Sequence, residues 1–181
     1  LNFDKQQMPS YSHNIEFDPV PEDGSIPVYP LGNDITKKFN IYKLFNFSWN
    51  ESDFLNNLLV FYSHSQKHLT DIQYRDLIQT KINHCGTGDF LVVVFEDSCP
   101  KFDYRQTSSG YVLVNVNVFD AKTKYRNKTG GGHKIHTSND EWETNKDLTV
   151  LFGKNAEDFI KHYSRKNNID NVENYSNNCL G

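Results

Sequence analysis

Six consecutive apolar residues, Phe90-Leu91-Val92-Val93-Val94-Phe95, constrain this chain more than any other stretch. The run is short and has no polar alternation, so it reads as a central strand covered on both sides. The residues before it supply two helices to do the covering. Phe54, Leu55, Leu58, Leu59 and Tyr62 fall at three- and four-residue steps, which predicts a helix over about 51–65, capped by Ser48 or Asn50. Ile72, Leu77, Ile78 and Ile82 form the stripe of a second helix, with Thr70 and Asp71 as caps and Gly86 and Gly88 as stops.

The remaining pattern alternates between the two periods. Ile41 to Phe47 is aromatic-rich and partly alternating, a strand. Tyr111 to Val118 alternates valines against other residues and reads as another β run, with a short helix predicted from Asp120 to Arg126. Glycines 130 to 132 break that helix, Lys134 to Thr137 fits a short strand, and Asn139 or Asp140 caps a helix carrying Leu148, Leu151 and Phe152 up to Gly153. Ala156 to Tyr163 is a last amphipathic segment. Five of the six prolines lie in residues 1–32, which read as an extended arm. Residues 33–165 read as one α/β domain, and the Asn-rich residues 166–181 as a disordered tail.

Charge and cysteine usage narrow the function. A formal net charge of -4 offers no broad cationic field, which disfavours nucleic acid as a partner because phosphate-backbone binding depends on clustered Lys and Arg. Cys85, Cys99 and Cys179 have neither a disulfide framework nor metal-ligand spacing, so a reducing, cytoplasmic setting and no metal site are expected. No run reaches the roughly 18 apolar residues of a membrane span, so no membrane partner is expected. The chain opens on Leu1 and stands equally well as part of a larger protein.

Chemistry concentrates between Gly130 and Asp147. Gly131 and Gly132 let backbone approach a ligand closely, a strand delivers His136, and a helix start follows, a combination suited to phosphate. The strand period puts Lys134, His136 and Ser138 on one face and Ile135 and Thr137 on the other. His133 and His136 then point to opposite faces, which disfavours a chelating pair. Lys122, Lys124, Arg126 and Lys128 form a small basic cluster facing the glycines. His64, His68 and His84 have no partner pattern and read as surface residues; Arg105, Thr107 and Ser108 read as a turn, and Glu96 and Asp97 as a strand end.

The run His136-Thr-Ser-Asn-Asp-Glu-Trp-Glu-Thr-Asn-Lys-Asp147-Leu-Thr-Val-Leu-Phe152 resembles the segment of nucleoside diphosphate kinases that starts at the phosphate-accepting histidine of their His-Gly-Ser-Asp motif. Gly88 to Glu96 resembles that family's central strand, Phe61-Tyr62-Ser63-His64 its His-Tyr helix segment, and Phe39 to Phe47 its second strand. The resemblance implies an α+β, ferredoxin-like fold with an antiparallel sheet backed by helices. It implies His136 as the phosphohistidine, Ser138 as the adjacent hydroxyl and Asp147 in place of the glutamate that holds the other imidazole nitrogen. Tyr62 and Arg126 would face the nucleotide phosphates, with Lys128 or Lys134 as further cations. The partners implied are a nucleoside di- or triphosphate and the magnesium that accompanies it.

Departures from the family pattern set the alternatives. The motif Lys-Pro-Asp-Gly has only an echo in Pro21-Glu22-Asp23-Gly24, with Val20 where the lysine belongs. Only ten residues separate Arg126 from His136, so most of the family's protruding loop is missing, which implies a monomer or homodimer. Ser108 to Val118 reads as β where the family has a helix and loop. A catalytically weak or inactive binding module, or another nucleotide- or sugar-nucleotide-processing enzyme, are the other readings.

Overall fold

A computed structural model of the protein describes residues 39–64, 69–107 and 110–163, together with the backbone of two further strand segments, 11–16 and 173–175. The apolar run forms β3 (Asp89–Glu96), and it lies in the interior of a five-stranded sheet. One neighbour is β2 (Asn40–Ser48); the other is β1 (Tyr11–Glu16), and both pair antiparallel with β3. β6 (Ile135–Thr137) lies antiparallel on the outer side of β1, and β7 (Glu173–Tyr175) lies parallel to β2. The sheet order is therefore β6-β1-β3-β2-β7.

Two readings of the chain ends are corrected here. Tyr11 to Glu16, read as part of an extended arm, is a strand paired on both sides, and Glu173 to Tyr175, read as disordered tail, adds a short parallel strand. Both carry too little apolar periodicity for sequence alone; the open edges of a longer sheet recruit them. The rest of both segments lies outside the described residues, as do His68, Ser108, Cys179 and the Pro21-to-Gly24 echo.

The sheet is covered on both faces, as the apolar run demands. Alternation along β3 sends Phe90, Val92 and Val94 to one face and Val93 and Phe95 to the other. The first face carries helices α1 (Glu51–Tyr62), α2 (Asp71–Cys85), α4 (Glu141–Phe152) and α5 (Ala156–Tyr163), with Phe45, Phe47, Trp49, Phe54 and Phe159 among the buried rings. Each fully buried ring contributes about 1.5–3 kcal/mol. On the second face α3 (Val116–Lys128) packs Val118, Ala121 and Tyr125 against Phe39, Phe95 and Ile135. This is a mixed α+β domain.

Helix boundaries follow the caps. Thr70 and Gln73 form a reciprocal capping box before α2, and Gly153 takes the left-handed conformation at φ 65° after α4. Asn50 precedes α1 without a side-chain cap bond. The β run predicted to reach Val118 stops early: β4 (Phe102–Thr107) and β5 (Gly110–Asn115) make a separate hairpin, and α3 begins at Val116. Asn115 accepts a hydrogen bond from the amide of Asn117, a local cap that turns the valine-rich stretch into helix.

Candidate functional site

His136 occupies the middle of β6, the strand that borders β1 at one edge of the sheet. As the period of two requires, Ile135 packs into the α3 face while His136 turns to the face carrying α1 and α4. Its ring meets Phe61 and Tyr62 edge-on, with centroid distances of 5.5 and 5.3 Å. The side chain keeps 14 % of its surface, so the imidazole is held in a wall and not swallowed by the core.

Two carboxylates reach the same ring from α4. Glu143 and Asp147 are four residues apart on one helix face; Nε2 of His136 lies 3.5 Å from Oδ2 of Asp147 and 3.9 Å from Oε1 of Glu143. Ser138, buried just beyond β6, donates to the same Oδ2 at 2.8 Å. Oε2 of Glu143 accepts from the amide and the side chain of Asn139 at 2.6 and 2.8 Å. Each carboxylate is thus fixed through one oxygen. Among the described residues, Oδ1 of Asp147 and Nε2 of His136 are buried without a hydrogen-bond partner.

The surroundings are electrostatically uneven. Lys146 donates to the carbonyl of Phe61 and lies 3.7 Å from Oδ1 of Asp147, with burial lowering its pKa. Burial also drives the phenol of Tyr62 far above its ordinary value, reinforced by Cys85, Asp147 and Glu143. Beside Tyr62 lies a small cleft of about 10 Å³, room for one water-sized sphere, lined by Leu58, Tyr62, Lys81, Cys85 and His133. Lys81 stands 4.7 Å over the Tyr62 ring, and Lys81, Arg126 and Lys134 all act on Cys85 as positive charges. His133 faces the same cations; burial, then Lys81, Arg126 and His84, push its pKa down to about 4.

The residues predicted for the site divide cleanly. His136, Ser138, Asp147 and Tyr62 come together. Arg126 is next to them, but its Nε and Nη2 both donate to the carbonyl of Ile135, at 2.9 and 2.7 Å, so much of the guanidinium fork clamps β6. Lys134 borders the cationic pocket, whereas exposed Lys128 lies 6.0 Å over Tyr125, a residue of the opposite face. The basic cluster is split by helical spacing: Lys122 turns with Arg126 toward the site, reaches Asn139 at 3.4 Å, and has its pKa pushed down to about 8 by burial and Arg126.

The glycines close a helix end. Gly130, Gly131 and Gly132 all take positive φ, at 83°, 83° and 76°, and the Gly131 amide closes the end of α3 on the Arg126 carbonyl at 2.6 Å. The start of α4 is closed too, because Asp140 accepts from the Glu143 amide at 2.8 Å and Glu143 takes the Asn139 amide. Acidic side chains thus take the amides of Asn139 and Glu143.

Sequence reasoning missed Glu143, Lys146, Lys81 and His64. His64, read as a surface residue, is largely buried, packs at a tilt against Trp142 with centroids 5.1 Å apart, and has Nε2 3.9 Å from Oε1 of Glu143. Glu143 had a readable signal, a carboxylate one helical turn before Asp147; His64 had none. Asp97, read as a strand end, is a buried structural carboxylate bonded by Cys99, Asn115 and Asn117. Among the described residues no helix is long and apolar enough to cross a membrane. Compared with protein-family models, curated proteins and solved structures, the chain has no match.

Proposed function

We propose that this domain binds a nucleoside di- or triphosphate beside His136 and passes a terminal phosphate through that imidazole, as its resemblance to nucleoside diphosphate kinases implies. The observation that carries the reading is the chain Ser138 Oγ to Asp147 Oδ2 to His136 Nε2, at 2.8 and 3.5 Å. A carboxylate fixed by a buried hydroxyl favours the tautomer with its proton on Nε2, which leaves the lone pair of Nδ1 as the nucleophile. Attack on the terminal phosphorus breaks its bond to the bridging oxygen and releases the diphosphate; a second diphosphate takes the phosphoryl group back from Nδ1. Lys81, Lys134 and Lys122 supply positive potential near the polyphosphate. Burial and edge contacts from Phe61 and Tyr62 hold the ring in place.

Magnesium would arrive on the phosphates and lower their charge. Glu143, held through Oε2 by Asn139, turns its other carboxylate oxygen toward the imidazole and fits such an ion. A second reading, a nucleotide-binding module that transfers slowly or not at all, is favoured by the commitment of Arg126 to the Ile135 carbonyl. Each missing cationic contact in a phosphoryl-transfer site reduces rate by orders of magnitude.

Incubation of the full chain with γ-labelled ATP and magnesium separates them. Phosphotransfer predicts an acid-labile label that is absent from His136→Ala and discharged by added nucleoside diphosphate. A thermal shift with ATP and no label supports the binding module. The absence of both removes the nucleotide from the account.

A further inference from the structure

The contacts around His136 define more than an oriented nucleophile. One nitrogen and two carboxylates present ligand atoms that all lie within 4.8 Å of one another. A tetrahedral first-row ion bound at about 2.0–2.2 Å holds its ligand atoms roughly 3.3–3.6 Å apart. The spacings from Nε2 of His136, 3.5 Å to Asp147 and 3.9 Å to Glu143, need a contraction of a few tenths of an ångström at most. Glu143 is braced by Asn139 through Oε2, which leaves Oε1 toward the imidazole, while Asp147 is braced by Ser138 on Oδ2, the same oxygen that lies 3.5 Å from Nε2. Outer hydrogen bonds of this kind aim metal ligands.

Charge and burial point the same way. Asp147 is 2 % exposed and its Oδ1 has no hydrogen-bond partner among the described residues; Nε2 of His136 is in the same condition. Two buried carboxylates share the ammonium of Lys146, 3.7 Å from Oδ1 and already donating to a carbonyl, with Lys122 a further positive charge acting on Glu143. Carboxylates held this close on one imidazole attract a divalent ion. An imidazole among the ligands selects the zinc-like ions over calcium, which takes an all-oxygen shell. His64, with Nε2 3.9 Å from the same Glu143 oxygen, borders the fourth position.

We propose that Nε2 of His136, Glu143 and Asp147 bind one divalent transition-metal ion of the zinc class, with His64 bordering its open position. The ion and phosphotransfer demand opposite tautomers. Metal on Nε2 leaves the imidazole proton on Nδ1, so the nitrogen that would attack phosphorus has no free pair. Binding stands independently of the phosphotransfer reading; its inhibitory consequence rests on that reading.

The test is calorimetric titration of the full chain with ZnCl2, repeated with CoCl2 and followed by visible absorption. The expected result is one ion per chain, a cobalt spectrum without a thiolate charge-transfer band, and affinity lowered at least about tenfold by Glu143→Gln and by Asp147→Asn. Long-range proton–nitrogen correlation on the unsubstituted chain should place the metal on Nε2 of His136 and the proton on Nδ1, a readout that needs no variant to fold. No bound ion, a thiolate band, or a His136 spectrum unmoved by zinc overturns the site. Labelling by γ-labelled ATP, measured separately, should fall when zinc is added and return with a zinc-selective chelator; label unaffected by saturating zinc overturns the inhibitory role alone.

Discussion

Two buried aspartates in this domain have almost the same exposure and opposite circumstances. Asp97, 1 % exposed, accepts from the Cys99 amide at 3.1 Å and from the side chains of Asn115 and Asn117 at 2.9 Å each. It ties the end of β3 to the start of α3. Asp147, 2 % exposed, accepts one hydrogen bond from Ser138 and keeps Oδ1 without a hydrogen-bond partner among the described residues. Buried polar groups are ordinarily satisfied, so the second arrangement leaves Asp147 with acceptor capacity that no hydrogen bond among the described residues uses, as the proposed role requires. The pair teaches that burial alone does not separate structural from functional acids; the count of donors does.

Substitution should pull the two apart. Asp97→Ala leaves three donors around an absent acceptor, and hydrogen bonds to a charged group are worth about 1.5–3 kcal/mol each before compensation by water. A loss of about 3 kcal/mol in guanidinium unfolding is expected. Asp147→Asn keeps an acceptor for Ser138 and removes an incompletely satisfied charge, so its stability should change by less than about 1 kcal/mol while γ-phosphate labelling disappears. Equal stability losses at the two positions would dissolve the distinction.

Ser138→Ala sharpens the comparison from the donor side. The hydroxyl is buried and its bond to Asp147 is 2.8 Å, so its removal should lower stability by about 1 kcal/mol. It should also slow label transfer more than it weakens nucleotide binding, measured by thermal shift. A change confined to binding would mean that the hydroxyl touches ligand and does not brace the acid.

What the sequence made legible follows from how local each signal is. The continuous run from Phe90 to Phe95, the stripe of α1 and the caps at Thr70 and Gly153 are properties of a few neighbouring residues, and the structure has them at those places; of the stripe read for α2, Ile78 and Ile82 are buried while Ile72 is exposed. The period of two around His136 also survived, because Ile135 and His136 do go to opposite faces. Valine-rich residues 116–118 misled, since their β pattern yields to a cap at Asn115 and to the Asp97 bonds that only the fold brings near. Within the site, Asp147 was readable through resemblance. Glu143 and His64 were not singled out because their meeting joins the end of α1 to the start of α4, nearly eighty residues apart. The glycines also have a local role that composition did not reveal, since the amide of Gly131 is taken by the end of α3.

The smallest expected effect tests the cationic side of the site. His133 differs from Asp147 in that its neighbours, Lys81, Arg126 and His84, share the sign it would acquire. Burial and these charges depress its folded-state pKa from 6.5 to about 4. Between those values the unfolded chain takes up a proton that the folded chain refuses. The contribution of His133 is therefore fully present above pH 6.5, is lost as pH falls, and reaches its floor near pH 4. Because the imidazole is only partly buried and water screens it, the effect should be a modest steepening of acid destabilisation. Urea midpoints at pH 7, 5.5 and 4.5 should fall less for His133→Asn than for the unsubstituted chain. Saturating polyphosphate should flatten the slope further, since an anion among Lys81, Arg126 and Lys134 lets the folded imidazole accept its proton. Parallel pH profiles for the two chains would instead show that the cations point away from His133, which would count against the proposed polyphosphate lying beside it.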